Sequence, residues 1–122
     1  MISFKFISNQ ILPKIFPKKY PEVLEYEGDF SIEINNMLYF QESNFSVFEF
    51  LMYIDSWKTN NHDDMQYICL DTDENPLISF IKNGDGFVIK SPWELFNYKE
   101  VISQSEIDKA VSNLKNDLGL GR

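Results

Sequence analysis

Carboxylates are the chemical resource this sequence holds in excess. Between positions 22 and 75 stand thirteen aspartates and glutamates against a single cation, Lys58. The first 21 residues carry Lys5, Lys14, Lys18 and Lys19 with no acid, and positions 76 to 122 balance six acids with six bases. The formal net charge of −8 therefore comes from the middle of the chain. Carboxylates at this density raise the capture rate of a cationic partner and repel nucleic acid and anionic lipid. Set close together they also perturb each other's protonation, and Glu25 with Glu27 and Asp63 with Asp64 are the neighbouring pairs available for acid–base work. A solvated acidic face accounts for the same residues without any special pairing.

Other chemistry finds less support. The run Asp71-Thr72-Asp73-Glu74-Asn75 alternates oxygen donors as the opening of a calcium-binding helical-hand loop does. The match stops at Pro76, where the sharp-turn glycine would stand, and at Lys82, where the bidentate glutamate would stand. His62-Asp63-Asp64 has no second His or Cys at the spacing zinc requires, and a single histidine leaves nucleophilic catalysis without a base positioned beside its nucleophile. Cys69, the one cysteine, lies in the apolar run Tyr67-Ile68-Cys69-Leu70, which predicts a buried, reduced thiol. Asn83-Gly84-Asp85-Gly86 suits a tight reversal rather than a phosphate loop, since no helix pattern follows and Asp85 would repel the ligand. Lys14, Lys18 and Lys19 are too few to make a nucleic-acid stripe on so acidic a chain. No catalytic residue, metal site or cofactor is assigned.

The elements that must position the acids are legible from periodicity. Ile2, Phe4 and Phe6 alternate with Ser3 and Lys5, the pattern of a half-buried strand. Pro13, Pro17 and Pro21 recur every four residues and, with the lysines between them, predict an extended connector with a basic edge. Phe30, Ile32 and Ile34, then Asn35-Asn36, then Met37 to Phe40 predict a hairpin, because Asn tolerates the positive φ of a two-residue turn. Ser46-Val47-Phe48-Glu49 is a capping box that opens a helix of about residues 46–58, with Phe45 set to pack on Phe50 as a staple. Strand patterns follow at 66–71, 77–82 and 87–90, and a second capping box at Ser103 and Glu106 opens a helix of about 104–118. The turns are too short for parallel crossovers, so the class is α+β: a mainly antiparallel sheet of about six strands with two main helices, in one domain over 1–122. No apolar run approaches the ~18 residues of a membrane span and no signal peptide is evident, which with the lone cysteine predicts a cytoplasmic protein.

The aromatic content of 16% argues against acidic disorder and for a core, where most of the rings fall on strand and helix faces. Trp93, Phe96 and Tyr98 stand apart, grouped with Glu94 after the last strand pattern. They either anchor a partner or clamp a loop over the core.

Phe30 to Phe40, Phe48-Glu49-Phe50-Leu51 with Trp57, Tyr67, Pro76 to Phe80, and Val88-Ile89-Lys90-Ser91-Pro92-Trp93 together resemble the bacterial immunity proteins of polymorphic toxin systems, over residues 25 to 115. The resemblance implies a small, acidic, cytoplasmic protein that neutralises one cognate toxin domain, often a basic nuclease, as in contact-dependent growth inhibition. Such proteins share no catalytic motif, so it transfers no site residue.

The sequence reading is thus a non-enzymatic, monomeric inhibitor that occludes the active site or substrate groove of a cationic toxin, with no nucleic-acid or membrane partner. Its expected contacts are Glu22, Glu25, Glu27 and Asp29 before the hairpin, Asp63, Asp64, Asp71, Asp73 and Glu74 in the loops, and Trp93 and Tyr98 as apolar anchors. A small carboxylate- or metal-dependent hydrolase and a self-associating structural adaptor are the rival classes.

Overall fold

Aromatic side chains, more than any single element, hold this fold together. The computed structural model describes residues 1–60 and 63–120, so the His62 of the sequence reading lies outside the described residues. The chain runs β1 (Ile2–Ile7), a 3-10 turn (Glu22–Leu24), β2 (Gly28–Ile34), β3 (Met37–Phe45), α1 (Val47–Asn60), β4 (Met65–Tyr67), β5 (Ile78–Asn83), β6 (Gly86–Lys90), β7 (Ile102–Ser103) and α2 (Gln104–Asp117). It is an α+β fold with two antiparallel sheets, ordered β1-β2-β3 and β4-β5-β6-β7. The strands expected at 2–7, 30–40, 77–82 and 87–90 are present, but the one expected at 66–71 ends at Tyr67, where the Asn75-braced loop takes over the backbone, and the strands divide between two sheets. A seventh, β7, pairs Ile102 with Phe87 and is too short to register as a pattern.

Turn chemistry sets the register of both hairpins. Asn35 and Asn36 both take positive φ, 52° and 68°, as a two-residue turn between β2 and β3 requires. Gly84 does the same, at 59°, between β5 and β6. At the other end of β2, a side chain on Gly28 would collide with the Ile7 carbonyl, so only glycine lets β1 and β2 stay paired there.

α1 joins the sheets through its apolar face. Phe50 meets Phe4 and Phe30 of the first sheet at centroid distances of 5.8 and 5.4 Å, while Trp57 meets Phe80 and Phe87 of the second at 5.9 and 5.1 Å. The predicted staple forms, with Phe45 edge-on to Phe50 at 5.8 Å. α2 packs on β1 from one sheet and β7 from the other, burying Ile107, Ala110, Val111 and Leu114. Full burial of each such aromatic or aliphatic side chain contributes about 1.5–3 kcal/mol. No helix among the described residues is long and apolar enough to cross a membrane.

The two capping boxes behave differently. At α2 the hydroxyl half of the box forms: the Ser103 hydroxyl accepts from the Glu106 amide at 3.1 Å and donates to the Glu106 carboxylate at 3.4 Å. At α1 the helix begins where expected, with the Phe50 amide donating to the Ser46 carbonyl at 3.2 Å, but the Glu49 carboxylate turns into the protein instead of back to the cap.

Candidate functional site

The nine predicted acids occupy three places, each built by a different local device. Glu22 and Glu25 sit on the 3-10 turn and its end, Glu27 follows, and Asp29 opens β2 opposite Ile7. This stretch is clamped to the end of β1. The Ser8 hydroxyl donates to the Glu27 carbonyl at 2.7 Å, and the Gln10 carboxamide accepts from the Glu27 amide at 2.7 Å and donates to the Glu25 carbonyl at 2.8 Å. Glu22, Glu25 and Asp29 are left exposed, and Glu27 is half-buried.

Asp63 and Asp64 lie at the start of β4. The Asp63 carbonyl accepts from the Trp57 indole at 2.7 Å, and an Asp64 carboxylate oxygen accepts from the Lys82 amide at 2.7 Å. Asp64 is therefore spent in part on closing the β4–β5 ladder.

Asp71, Asp73 and Glu74 project from the loop between β4 and β5, at the opposite end of β4. Asn75 organises this loop as a surrogate strand: its carboxamide accepts from the Cys69 amide at 2.9 Å and donates to the carbonyls of Cys69 and Thr72 at 3.0 and 2.7 Å. The resemblance to a calcium loop dissolves here, because the Asn75 oxygen that would face the ion is bonded to backbone. No three His, Cys, Asp or Glu side chains among the described residues are grouped to hold a metal.

One place brings distant parts of the sequence together. Glu42 and Asn44 of β3, Cys69, Asp71 and Thr72 of the acidic loop, and Trp93 line a cleft of about 30 Å³ at the seam of the two sheets. A space of that size admits a water molecule and little else. Burial raises the Glu42 carboxyl above its ordinary pKa. Asn44 takes a φ of 56°, the left-handed conformation that Asn tolerates better than most residues. Cys69, expected buried, is only half-buried at this edge.

The aromatic anchors are largely turned inward. Trp93 stacks on Phe40 with planes 9° apart at 6.4 Å, and Tyr98 meets Phe96 edge-on at 6.5 Å, which in turn meets Tyr39 at 5.5 Å. Of the two sequence readings of these rings, the geometry is that of a clamp, and the half-exposed edges of Trp93 and Tyr98 remain accessible.

Sequence reasoning missed two carboxylates that tyrosines hold. Glu49, 1% exposed, accepts from the Tyr20 hydroxyl at 2.6 Å and the Tyr67 hydroxyl at 2.8 Å. Glu94 accepts from the Tyr39 hydroxyl at 2.7 Å and from the Asn97 side-chain carboxamide at 3.2 Å. Burial first, and the neighbouring carboxylate second, drive Tyr20, Tyr39 and Tyr67 well above the ordinary tyrosine pKa. Both pairings join residues 18 to 55 positions apart, which no short spacing signals.

A sequence-family model described as a domain of unknown function, DUF7878, matches residues 2–120. The chain belongs to that family. No curated protein and no solved structure matches the chain significantly. The DUF7878 description names no activity, so the case for function rests on the geometry of this chain's own residues.

Proposed function

We propose that this DUF7878 chain is a non-catalytic, cytoplasmic binding protein that captures and neutralises a cationic protein, as an immunity protein does with a basic toxin domain. The observation that carries this reading is the state of six carboxylates. Glu22, Glu25, Asp29, Asp71, Asp73 and Glu74 are exposed and form no ion pair with any described residue. The backbone beside them is braced as well: Ser8 and Gln10 bond the Glu25 and Glu27 peptide groups, Asn75 bonds those of Cys69 and Thr72, and Asp29 lies in the β1–β2 ladder. Loops ordered before the encounter lose less conformational entropy on binding, so fixed carboxylates serve an interface better than mobile ones.

Division of labour follows from the energetics. Carboxylates at the rim of such a contact steer the encounter and set its salt dependence, while the few that become desolvated against a lysine or arginine carry much of the specificity. The edge of Trp93, beside Asp71 at the seam, is the apolar surface best placed to join them.

An immunity protein should be encoded directly downstream of a toxin gene, and co-expression with a toxin domain found at that position tests the reading. Neutralising all six carboxylates as Gln or Asn should abolish protection and slow association about tenfold or more at low salt, with the thermal midpoint little changed. Full protection by that folded variant, or an association rate insensitive to salt, would overturn it.

A further inference from the structure

A broad surface concavity is rimmed by lysines. A groove of about 610 Å³ is walled by residues 14–18 on one side and by α1 and α2 on the other, with Lys14, Lys18, Lys58 and Lys115 around its rim and Phe16 in its wall. Lys115 bonds Asp55 at 2.9 Å and Lys58 lies 3.4 Å from Asp108, so those two cations are matched. Lys14 and Lys18 have no ion-pair partner among the described residues. Two further depressions, of about 250 and 570 Å³, share Phe16 and Lys18 with the first. Together they form a track along both sides of residues 13–18, longer than a small metabolite fills. Glu22 lies at one end of it.

The backbone of this strap is open. From Ile11 to Lys18 no backbone hydrogen bond forms with any described residue. Yet the strap is held at both ends and in the middle. Ser8 and Gln10 bind the 25–27 backbone before it, Tyr20 bonds Glu49 after it, Pro17 is buried, and Phe16 packs on Phe48 at 5.8 Å beneath the Lys115 ammonium. Ile11 and Ile15 stand 94% and 83% exposed along it. The strap is not the extended connector the prolines predict, since the chain bends at Lys14–Ile15, but a held segment with open peptide groups and outward apolar side chains on each side of that bend can still receive an added chain.

We propose that the strap docks an extended acidic segment of a partner protein. Its apolar residues would lie against Ile11, Ile15 and Phe16, its carboxylates against Lys14 and Lys18, and its backbone along the open peptide groups. Prolines and lysines on an exposed edge normally discourage pairing with like chains. For an acidic chain the same lysines become an attraction, so the strap selects by charge. Of the six outward acidic-loop carboxylates only Glu22 borders the track.

The test uses the isotope-labelled whole protein and short synthetic peptides of alternating Glu and Leu, with Gln–Leu peptides, inorganic phosphate and anionic phospholipid vesicles for comparison. Saturable shifts confined to residues 11–19 and the facing sides of α1 and α2 are expected, with the Glu–Leu peptide bound about tenfold more tightly than its Gln counterpart. Lys14→Glu with Lys18→Glu should weaken binding about tenfold or more, and the Arg double variant should retain it. Both lysines are exposed and unpaired, and Lys14→Gln with Lys18→Gln replaces the reversal should the latter fail to fold. Shifts elsewhere, equal affinity for the Gln peptide, undiminished binding by the double variant, or a response to phosphate or vesicles without one to the peptide would each overturn the proposal. Neutralising the five loop carboxylates other than Glu22, which borders the track, should leave peptide binding in place, which separates failure here from failure of the acidic-surface reading.

Discussion

The acidic loops at 22–29 and 71–75 and the lysine strap at 11–18 are all charged and irregular, but they satisfy their backbones in opposite ways. In the loops, carboxamides and hydroxyls from Gln10, Ser8 and Asn75 bond the peptide groups and leave the carboxylates outward. In the strap, rings and prolines hold the segment while its peptide groups stay unbound. A surface dense in one charge is therefore not by itself a binding site. The loops spread their charge over two separate places, whereas the strap concentrates fewer charges along one track with shape and open backbone.

The pin between the strap and the core gives the largest expected effect. Glu49→Ala removes the acceptor for Tyr20 and for the wholly buried Tyr67, and leaves a cavity beneath both. A loss of about 3 kcal/mol or more in unfolding free energy is expected from urea titration. Tryptic cleavage after Lys14, Lys18 and Lys19 should accelerate more than cleavage after Lys82 or Lys90. Equal acceleration at all of them would show that the strap is not held from this point, and the contrast with the loops would fail.

Alkaline pH probes the same pin without mutation. Tyr20, Tyr39 and Tyr67 have folded pKa values raised above their unfolded ones, so above about pH 10 the unfolded chain releases protons that the native state keeps. The native state then binds more protons than the unfolded, and stability must fall as pH rises. It is whole below the unfolded tyrosine pKa and declines beyond it. Tyr67→Phe should flatten this decline in thermal melts between neutral pH and pH ~11, and an unchanged slope would mean that Tyr67 is not protected in the fold.

The loops should answer to their staples instead. Asn75→Ala removes three hydrogen bonds to the Cys69 and Thr72 backbone that brace the loop carrying Asp71, Asp73 and Glu74, at a cost of about 1–2 kcal/mol. Capture of a cationic partner should become weaker because the carboxylates must be ordered on binding, while Glu–Leu peptide binding at the strap stays constant. A drop in both would show that the two regions act as one surface.

Much of the scaffold was legible because it is local. Alternation gave β1, β2 and β5, Asn35-Asn36 gave the first hairpin, and Ser103 with Glu106 gave the start of α2. What escaped the sequence depends on side chains meeting across long separations. Glu49 read as a capping residue because Ser46 stands three positions before it, and only the fold brings Tyr20 and Tyr67 close enough to claim its carboxylate. The division into two sheets was hidden for a related reason: antiparallel neighbours show which strands pair, but α1 decides where the pairing stops. The acids were counted correctly and their dispersal was not visible, since β4 separates Asp63 and Asp64 from Asp71 by its own length. The strap's lysines were visible as a basic edge, but nothing in Pro13 to Lys19 shows that helices across from it complete a groove.

The smallest expected effect concerns the seam, where the first sheet meets the acidic loop. The Glu42 carboxylate is partly desolvated, has no hydrogen-bond or ion-pair partner among the described residues, and shares its cleft with Asp71. A carboxyl raised in the folded state binds protons more tightly there than when unfolded, so its ionisation weakens the fold as pH climbs through the carboxylate range. Glu42→Gln keeps the shape and removes that charge, so the thermal midpoint at neutral pH should rise slightly, and the gain should vanish at acid pH where both forms are neutral. The same substitution should barely slow association with a cationic partner, because a half-buried carboxylate adds little to the long-range field. A marked loss of capture by Glu42→Gln would make this cleft, rather than the outward acids of the loops, the centre of the interface.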